Sequence, residues 1–207
     1  MTFTYRFTWF AFRGFARIWF RSTVIGANHV PLTGSVILAA NHNSFADPPL
    51  VGSALPREIS YLARDTLFNK PFLGWYIKKL NGVPVNRDGG GGPGLKAILD
   101  RLNIGNGIVL FPEGTRSPDG TLLPAKSGIG LIVAKSTAPV IPIRLKGTFE
   151  AWGRHLTYPK RKPIEIHFGE PLYFEELRAE LLTADKPRVK IIYQEIADQI
   201  MSHIGQM

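Results

Sequence analysis

The sequence predicts an α/β fold: a mostly parallel central sheet flanked by helices. Three observations lead there. Short apolar runs alternate with helical stretches from about residue 30 onward, and strand–helix alternation builds parallel sheets covered by helices. Runs such as "SVILAA" and "GIVLF" are apolar at nearly every position, as strands buried on both faces are. Polar, reactive residue types follow two of these runs at once, and ligands of open α/β sheets bind where strands end.

In chain order, residues 1–24, "MTFTYRFTWFAFRGFARIWFRSTV", form a helix rich in Phe and Trp. Arg6, Arg13, Arg17 and Arg21 are spaced seven, four and four apart, which aligns them in one helical stripe. An arginine at nearly every turn is incompatible with a membrane span of about 20 predominantly apolar residues. No uncharged core or small-residue cleavage site marks a secretory signal. A helix lying in the interface fits better, with Trp9, Phe10 and Trp19 among the aromatics in the bilayer and the arginines toward anionic headgroups. The alternative is a helix that packs on the domain with its arginines solvated. Strands are then expected at 35–40, 59–63, 82–86, 107–111, 140–145 and 164–168. Helices are expected at 47–55, 71–80, 93–103 and 127–136, and two more, 174–182 and 186–204, close the chain. No repeat or linker divides residues 25–207, which form one domain behind the surface helix of 1–24. The glycines of "DGGGGPG" (88–94) spell G-x-G-x-x-G trivially and are taken as a loop.

Composition limits the function classes. With 207 residues the chain is long enough for a real core. There is no cysteine, which excludes disulfides, thiolate zinc sites and cysteine nucleophiles. A net charge of +9 points to an anionic partner: nucleic acid, anionic lipid or a phosphorylated substrate. No nucleic-acid motif is present, and the aromatics gather in the terminal helix rather than among basic residues of a sheet. Nucleic acid is therefore not an expected partner, and no cluster of residues spells a metal site.

The chemistry lies in two clusters. "NHNSFAD" (41–47) follows the first strand and "FPEGTRS" (111–117) follows the fourth. Asp47 before Pro48 has the form of a helix cap, and Ser44 could cap as well, but capping gives no reason for His42. Two strand ends carrying such residues face one crevice in an open sheet, although about 70 residues separate them. Arg87 and Lys126 add basic groups at neighbouring strand exits, suited to a phosphate. Ser44 as a nucleophile lacks the G-x-S-x-G elbow, and a local hydrogen bond is its simpler role. His29, His155, His167 and His203 have no acidic partner at a telling spacing.

Together these residues resemble the glycerolipid acyltransferases of the lysophosphatidic acid acyltransferase family. The H-x4-D motif matches "HNSFAD", the second motif "GVPVNR" (82–87), the third "FPEGTRS" and the fourth "VIPIRLKGT" (140–148), over about residues 25–170. Asp65 departs from the pattern, since a basic residue is commoner there. The resemblance implies acyl transfer from a thioester, acyl-CoA or acyl carrier protein, to a lysophospholipid hydroxyl, with no cofactor beyond that co-substrate. His42 would be the general base and Asp47 its orienting partner; Arg87, Glu113, Gly114, Thr115, Arg116 and Lys126 would bind substrate. Backbone N–H groups near Gly114 are the candidate oxyanion donors. The expected location is peripheral, on the cytoplasmic face of a membrane. The competing readings are a related acyltransferase or transacylase acting on another lysolipid, and a non-catalytic membrane-surface module.

Overall fold

The computed structural model describes residues 2–85 and 92–207. The order of elements is α1 (Phe3–Trp19), β1 (Thr23–Ile25), β2 (Val36–Ala40), α2 (Asp47–Ala54), β3 (Ile59–Arg64), α3 (Pro71–Lys79), β4 (Gly82–Val85) and α4 (Gly92–Asn103). There follow β5 (Gly107–Leu110), α5 (Gly128–Ala134), β6 (Val140–Lys146), α6 (Thr148–Trp152), β7 (Glu165–Phe168), α7 (Glu175–Glu180) and α8 (Lys186–Gln206). Seven strands form one sheet in the order β1-β7-β6-β2-β5-β3-β4. All pairings are parallel except β6 with β7, which is antiparallel. The predicted α/β class and mostly parallel sheet are what the chain adopts.

Two layers cover the sheet, and period-two alternation sorts the strand side chains between them. Val36, Leu38 and Ala40 of β2 face one core with α1 and α2, where Phe20, Leu50 and Val51 pack. Ile37 and Ala39 face the other, with Ile132 and Val133 of α5 and Ile192, Ile196 and Ile200 of α8. Burial on both faces explains the unbroken apolar run of β2, every residue of which is buried. In α5, Gly130 allows the close approach of α8: a Cβ there would stand 1.8 Å from the Tyr193 carbonyl oxygen.

The sequence reading missed β1, three exposed residues inside a stretch taken as helix and its exit. α1 is not a detached surface helix. Tyr5, Ala16 and Phe20 are buried in the domain, the Tyr5 hydroxyl accepts the N–H of Ile59 at 3.0 Å, and Thr8 meets the Tyr76 hydroxyl at 2.9 Å. Its opposite side is exposed: Phe3, Phe7, Phe10 and Ile18 are 78%, 67%, 63% and 73% accessible. Arg6, Arg13, Arg17 and Arg21 are exposed, and Trp19 is 40% accessible. Trp9 departs from the expectation of a bilayer-facing ring. Its indole N–H donates to the Leu55 carbonyl at 2.7 Å, which turns the side chain onto α2. An indole packed against protein satisfies its one donor this way.

Candidate active site

The two polar clusters meet at the ends of β2 and β5, neighbours in the sheet. Just past β2, Asn41 uses its side chain as a strand edge. Its amide donates to the Leu145 carbonyl at 3.1 Å and accepts the Leu145 N–H at 2.7 Å. That bridge satisfies β6 while the main chain of β2 turns away, and His42 emerges at the turn.

His42 is held by its ring and by its backbone. Its Nδ1 lies 2.9 Å from Asp47 Oδ2. Its face stacks on Phe111, with centroids 3.9 Å apart at 19°. Its backbone N–H donates to Glu113 Oε1 at 3.0 Å, and its carbonyl accepts the Ser117 N–H at 2.7 Å. A carboxylate only accepts, so Nδ1 carries the proton and the Nε2 lone pair is left for a substrate. The His42 side chain is 15% exposed and that of Asp47 is fully buried.

The local sequence explains why Asp47 serves the histidine rather than its own helix. It is the first residue of α2, and Ala46, not Asp47, occupies the cap position. Pro48 and Pro49 follow and have no N–H to offer. The carboxylate turns back instead, and Oδ2 accepts from Asn43 N and Ser44 N, both at 2.7 Å, besides His42. The capping role read for this aspartate is thus corrected: it caps the 42–44 turn, which aims the imidazole.

Ser44 is fully buried. Its hydroxyl donates to the Trp152 carbonyl at 2.8 Å and accepts the Ala46 N–H at 3.0 Å. Those bonds make it structural, as the local-hydrogen-bond reading expected. Ser44→Ala should cost at least about 2 kcal/mol of stability, since two buried bonds are lost at about 1 kcal/mol or more each, and leave most activity in the folded variant. A loss of turnover as deep as that of a His42 variant, measured side by side, would contradict this.

The second cluster builds the other wall. Gly114 has φ +68° and its N–H donates to the Phe111 carbonyl at 2.9 Å, closing a tight turn. A Cβ on it would press the Lys126 side chain at 3.0 Å. The Gly114 N–H is used in that turn, so of the backbone N–H groups near Gly114 its own is already bonded. The exposed Thr115 N–H has no backbone partner among the described residues. Glu113 is 1% exposed and accepts from His42 N and, at 3.4 Å, Leu123 N. Burial pushes its carboxyl above the usual range; those two N–H bonds pull it back, Asp47 raises it and Arg144 lowers it. The guanidinium of Arg116 lies over the Phe45 ring, 3.7 Å from its centroid. Lys126 is exposed, with its N–H bound to the Pro112 carbonyl at 2.9 Å. Arg87 lies outside the described residues. Sequence reasoning missed Arg144, a β6 arginine whose Nε and Nη1 are buried without a hydrogen-bond partner among the described residues; nothing in its spacing signalled it.

Beyond Phe45 opens an apolar pocket of about 480 Å³ between α1, α2, β3 and α3. Trp9, Phe12, Pro48, Tyr61 and Ile77 are among its lining residues. Tyr61 and Tyr5 meet through their hydroxyls at 3.2 Å, and burial keeps both above the usual phenol range, hence neutral. The Tyr61 hydroxyl packs against Gly52, where a Cβ would stand 1.6 Å from it.

An imidazole oriented by a buried carboxylate, with Phe45 and Pro48 of the same turn lining an apolar pocket, stands at the strand ends of a mostly parallel α/β sheet. Residues 21–146 match the family model described as Acyltransferase, and the chain belongs to that family. It is 28% identical over 151 residues to a 1-acyl-sn-glycerol-3-phosphate acyltransferase of Bacillus subtilis, covering 72% of this chain and 73% of that one. It is 32% identical over 132 residues to a chloroplastic 1-acyl-sn-glycerol-3-phosphate acyltransferase of Brassica napus, 62% of this chain but only 38% of that one. The fold resembles that of the Thermotoga maritima 1-acyl-sn-glycerophosphate (LPA) acyltransferase PlsC, with a TM-score of 0.72 and 25% identity, covering 98% of this chain and 80% of that one.

Proposed function

We propose that the protein transfers a fatty acyl chain from a thioester donor to the free hydroxyl of lysophosphatidic acid, giving phosphatidic acid. The single observation that carries this reading is the His42–Asp47 pair, 2.9 Å apart, in the same turn as Phe45 and Pro48, which line the apolar pocket. His42 Nε2 takes the proton of the acceptor hydroxyl as its oxygen attacks the thioester carbonyl. Asp47 steadies the imidazolium that forms. The C–S bond then breaks, and the imidazolium returns its proton to the departing thiolate. No cofactor beyond the thioester enters these steps. The Thr115 N–H is the donor we assign to the developing oxyanion, Arg116 and Lys126 hold the acceptor phosphate, and the pocket takes an acyl chain. The relatives' names support lysophosphatidic acid as acceptor.

The donor is acyl-CoA or acyl carrier protein. Incubation with palmitoyl-CoA and either lysophosphatidic acid or lysophosphatidylethanolamine tests the acceptor: phosphatidic acid should be the preferred product. Faster acylation of the ethanolamine lipid would favour the reading as an acyltransferase of another lysolipid.

We further place the protein peripherally, on the cytoplasmic face of a membrane. No helix among the described residues is long and apolar enough to cross a bilayer. Phe3, Phe7 and Phe10 instead form an exposed strip beside exposed arginines, the pattern of an interfacial helix. Removing α1 would strip Tyr5, Ala16 and Phe20 from the core, so point changes are the sharper test. Phe7→Ser with Phe10→Ser should weaken vesicle binding by about tenfold or more, as loss of two buried aromatic side chains implies, with an unchanged melting temperature. Undiminished sedimentation with vesicles would refute the placement.

A further inference from the structure

The turn after α1 builds a second cleft, separate from the apolar pocket. Ser22 N donates to the Ala16 carbonyl at 3.1 Å while Arg21 takes φ +49°. The chain therefore folds back beside the last turns of α1, and β1 starts next to Arg17. The resulting cleft, about 400 Å³, is lined by Arg13 and Arg17 and by the hydroxyl-bearing Ser22, Thr23 and Ser53. No carboxylate lines it, and neither arginine has an ion pair among the described residues. Arg13 is set in place: Nη1 donates to the Ser53 carbonyl at 3.3 Å, and its guanidinium lies 4.8 Å from the Trp9 ring centroid. Ser53 also borders the apolar pocket, so the cleft adjoins the acyl-binding region from across α2.

We propose that this cleft is a phosphate-binding site that holds the headgroup phosphate of a bilayer lipid. Two guanidinium groups on successive turns of one helix, with Ser22 and Thr23 lining the same cleft, suit the acceptor oxygens of a phosphate. The Ser53 hydroxyl is already donated to the Leu50 carbonyl at 3.2 Å. Helix spacing of four puts both forks on one side. The same helix presents Phe7, Phe10 and Ile18 to the surroundings, so a phosphate in the cleft would lie at headgroup depth beside an inserted apolar strip. The proposal rests on the membrane-surface reading above. It differs from it in kind: a diffuse attraction counts charges, whereas a site distinguishes arginine from lysine and phosphate from carboxylate.

Co-sedimentation with phosphatidylcholine vesicles doped with phosphatidic acid, or with oleate to the same surface charge, separates the two. The wild type should bind the phosphatidic acid vesicles more tightly. Arg13→Lys with Arg17→Lys keeps the charge and loses the forks, and should lose that preference with about five- to tenfold weaker binding. Arg13→Gln with Arg17→Gln should weaken binding to both surfaces, about 25-fold if each charge near the surface contributes about fivefold. Equal binding of wild type and lysine variant to both vesicles would overturn the site while leaving the membrane reading intact. Failure of the wild type to bind any vesicle would remove both. Titration calorimetry with inorganic phosphate alone distinguishes the source: arginine-dependent binding as tight as to vesicles would mean a free phosphate, not a lipid headgroup, and would overturn the assignment. Melting curves verify that each variant is folded.

Discussion

Replacing His42 with alanine is expected to lower kcat by at least about 10²–10⁴-fold, the usual worth of a positioned general base. The fold should survive. Asp47 Oδ2 still accepts from Asn43 and Ser44, and His42 contributes its backbone N–H and carbonyl to the site regardless of its side chain. The loss should fall on turnover rather than on KM, because the imidazole acts on a proton in flight and not on the substrate's bulk. Steady-state kinetics on folded variant checks this, with a melting curve as control. Activity within tenfold of wild type would refute the assignment of the base.

Glu113→Ala is the second large effect, and it reaches both stability and activity. The change leaves the His42 and Leu123 N–H groups, bonded at 3.0 and 3.4 Å, without their acceptor. An orphaned buried donor costs about 1–3 kcal/mol, so a total of about 2–6 kcal/mol is expected for the two. With the backbone of His42 loosened, turnover should fall at least tenfold, since small misplacements of a base are costly. Glu113→Gln keeps an acceptor and removes the titration. The carboxyl of Glu113 is held above its usual range, chiefly by burial. A raised folded-state pKa contributes stability below the ordinary glutamate range, near pH 4.3, and that contribution is lost as pH rises through the raised value. Wild type should therefore lose stability relative to Glu113→Gln over that interval. Parallel urea-unfolding curves at a series of pH values measure the difference; a gap that moves the other way with rising pH would contradict the burial account.

The parts of this picture legible in the sequence were those that depend on short-range pattern. β2 and β5 stand within a residue of the predicted strands because an unbroken apolar run bounded by polar residues has few other uses. His42 and Asp47 were legible because five residues of spacing allow a turn to join them, and the structure joins them. Strand direction was not: β7 runs antiparallel to β6, and alternation of burial is the same either way. β1 escaped because it is only three residues long and follows α1 closely, too short a run to show a period of its own. The grip of Glu113 on the His42 backbone spans 71 residues, and only the pairing of β2 with β5 creates it. Composition gave α1 its aromatic and basic character, but which ring turns inward depends on a carbonyl of α2 that meets Trp9. The cleft at Arg13 and Arg17 likewise exists only because the chain reverses at Arg21.

In the proposed reaction His42 activates the acceptor hydroxyl for attack on a thioester. Thiol release from palmitoyl-CoA, followed with and without lysophosphatidic acid in detergent or vesicles, tests it most directly. Release that depends on the acceptor and is lost in His42→Ala is the predicted result. Release at the same rate without the acceptor would make the protein a thioesterase and contradict the account.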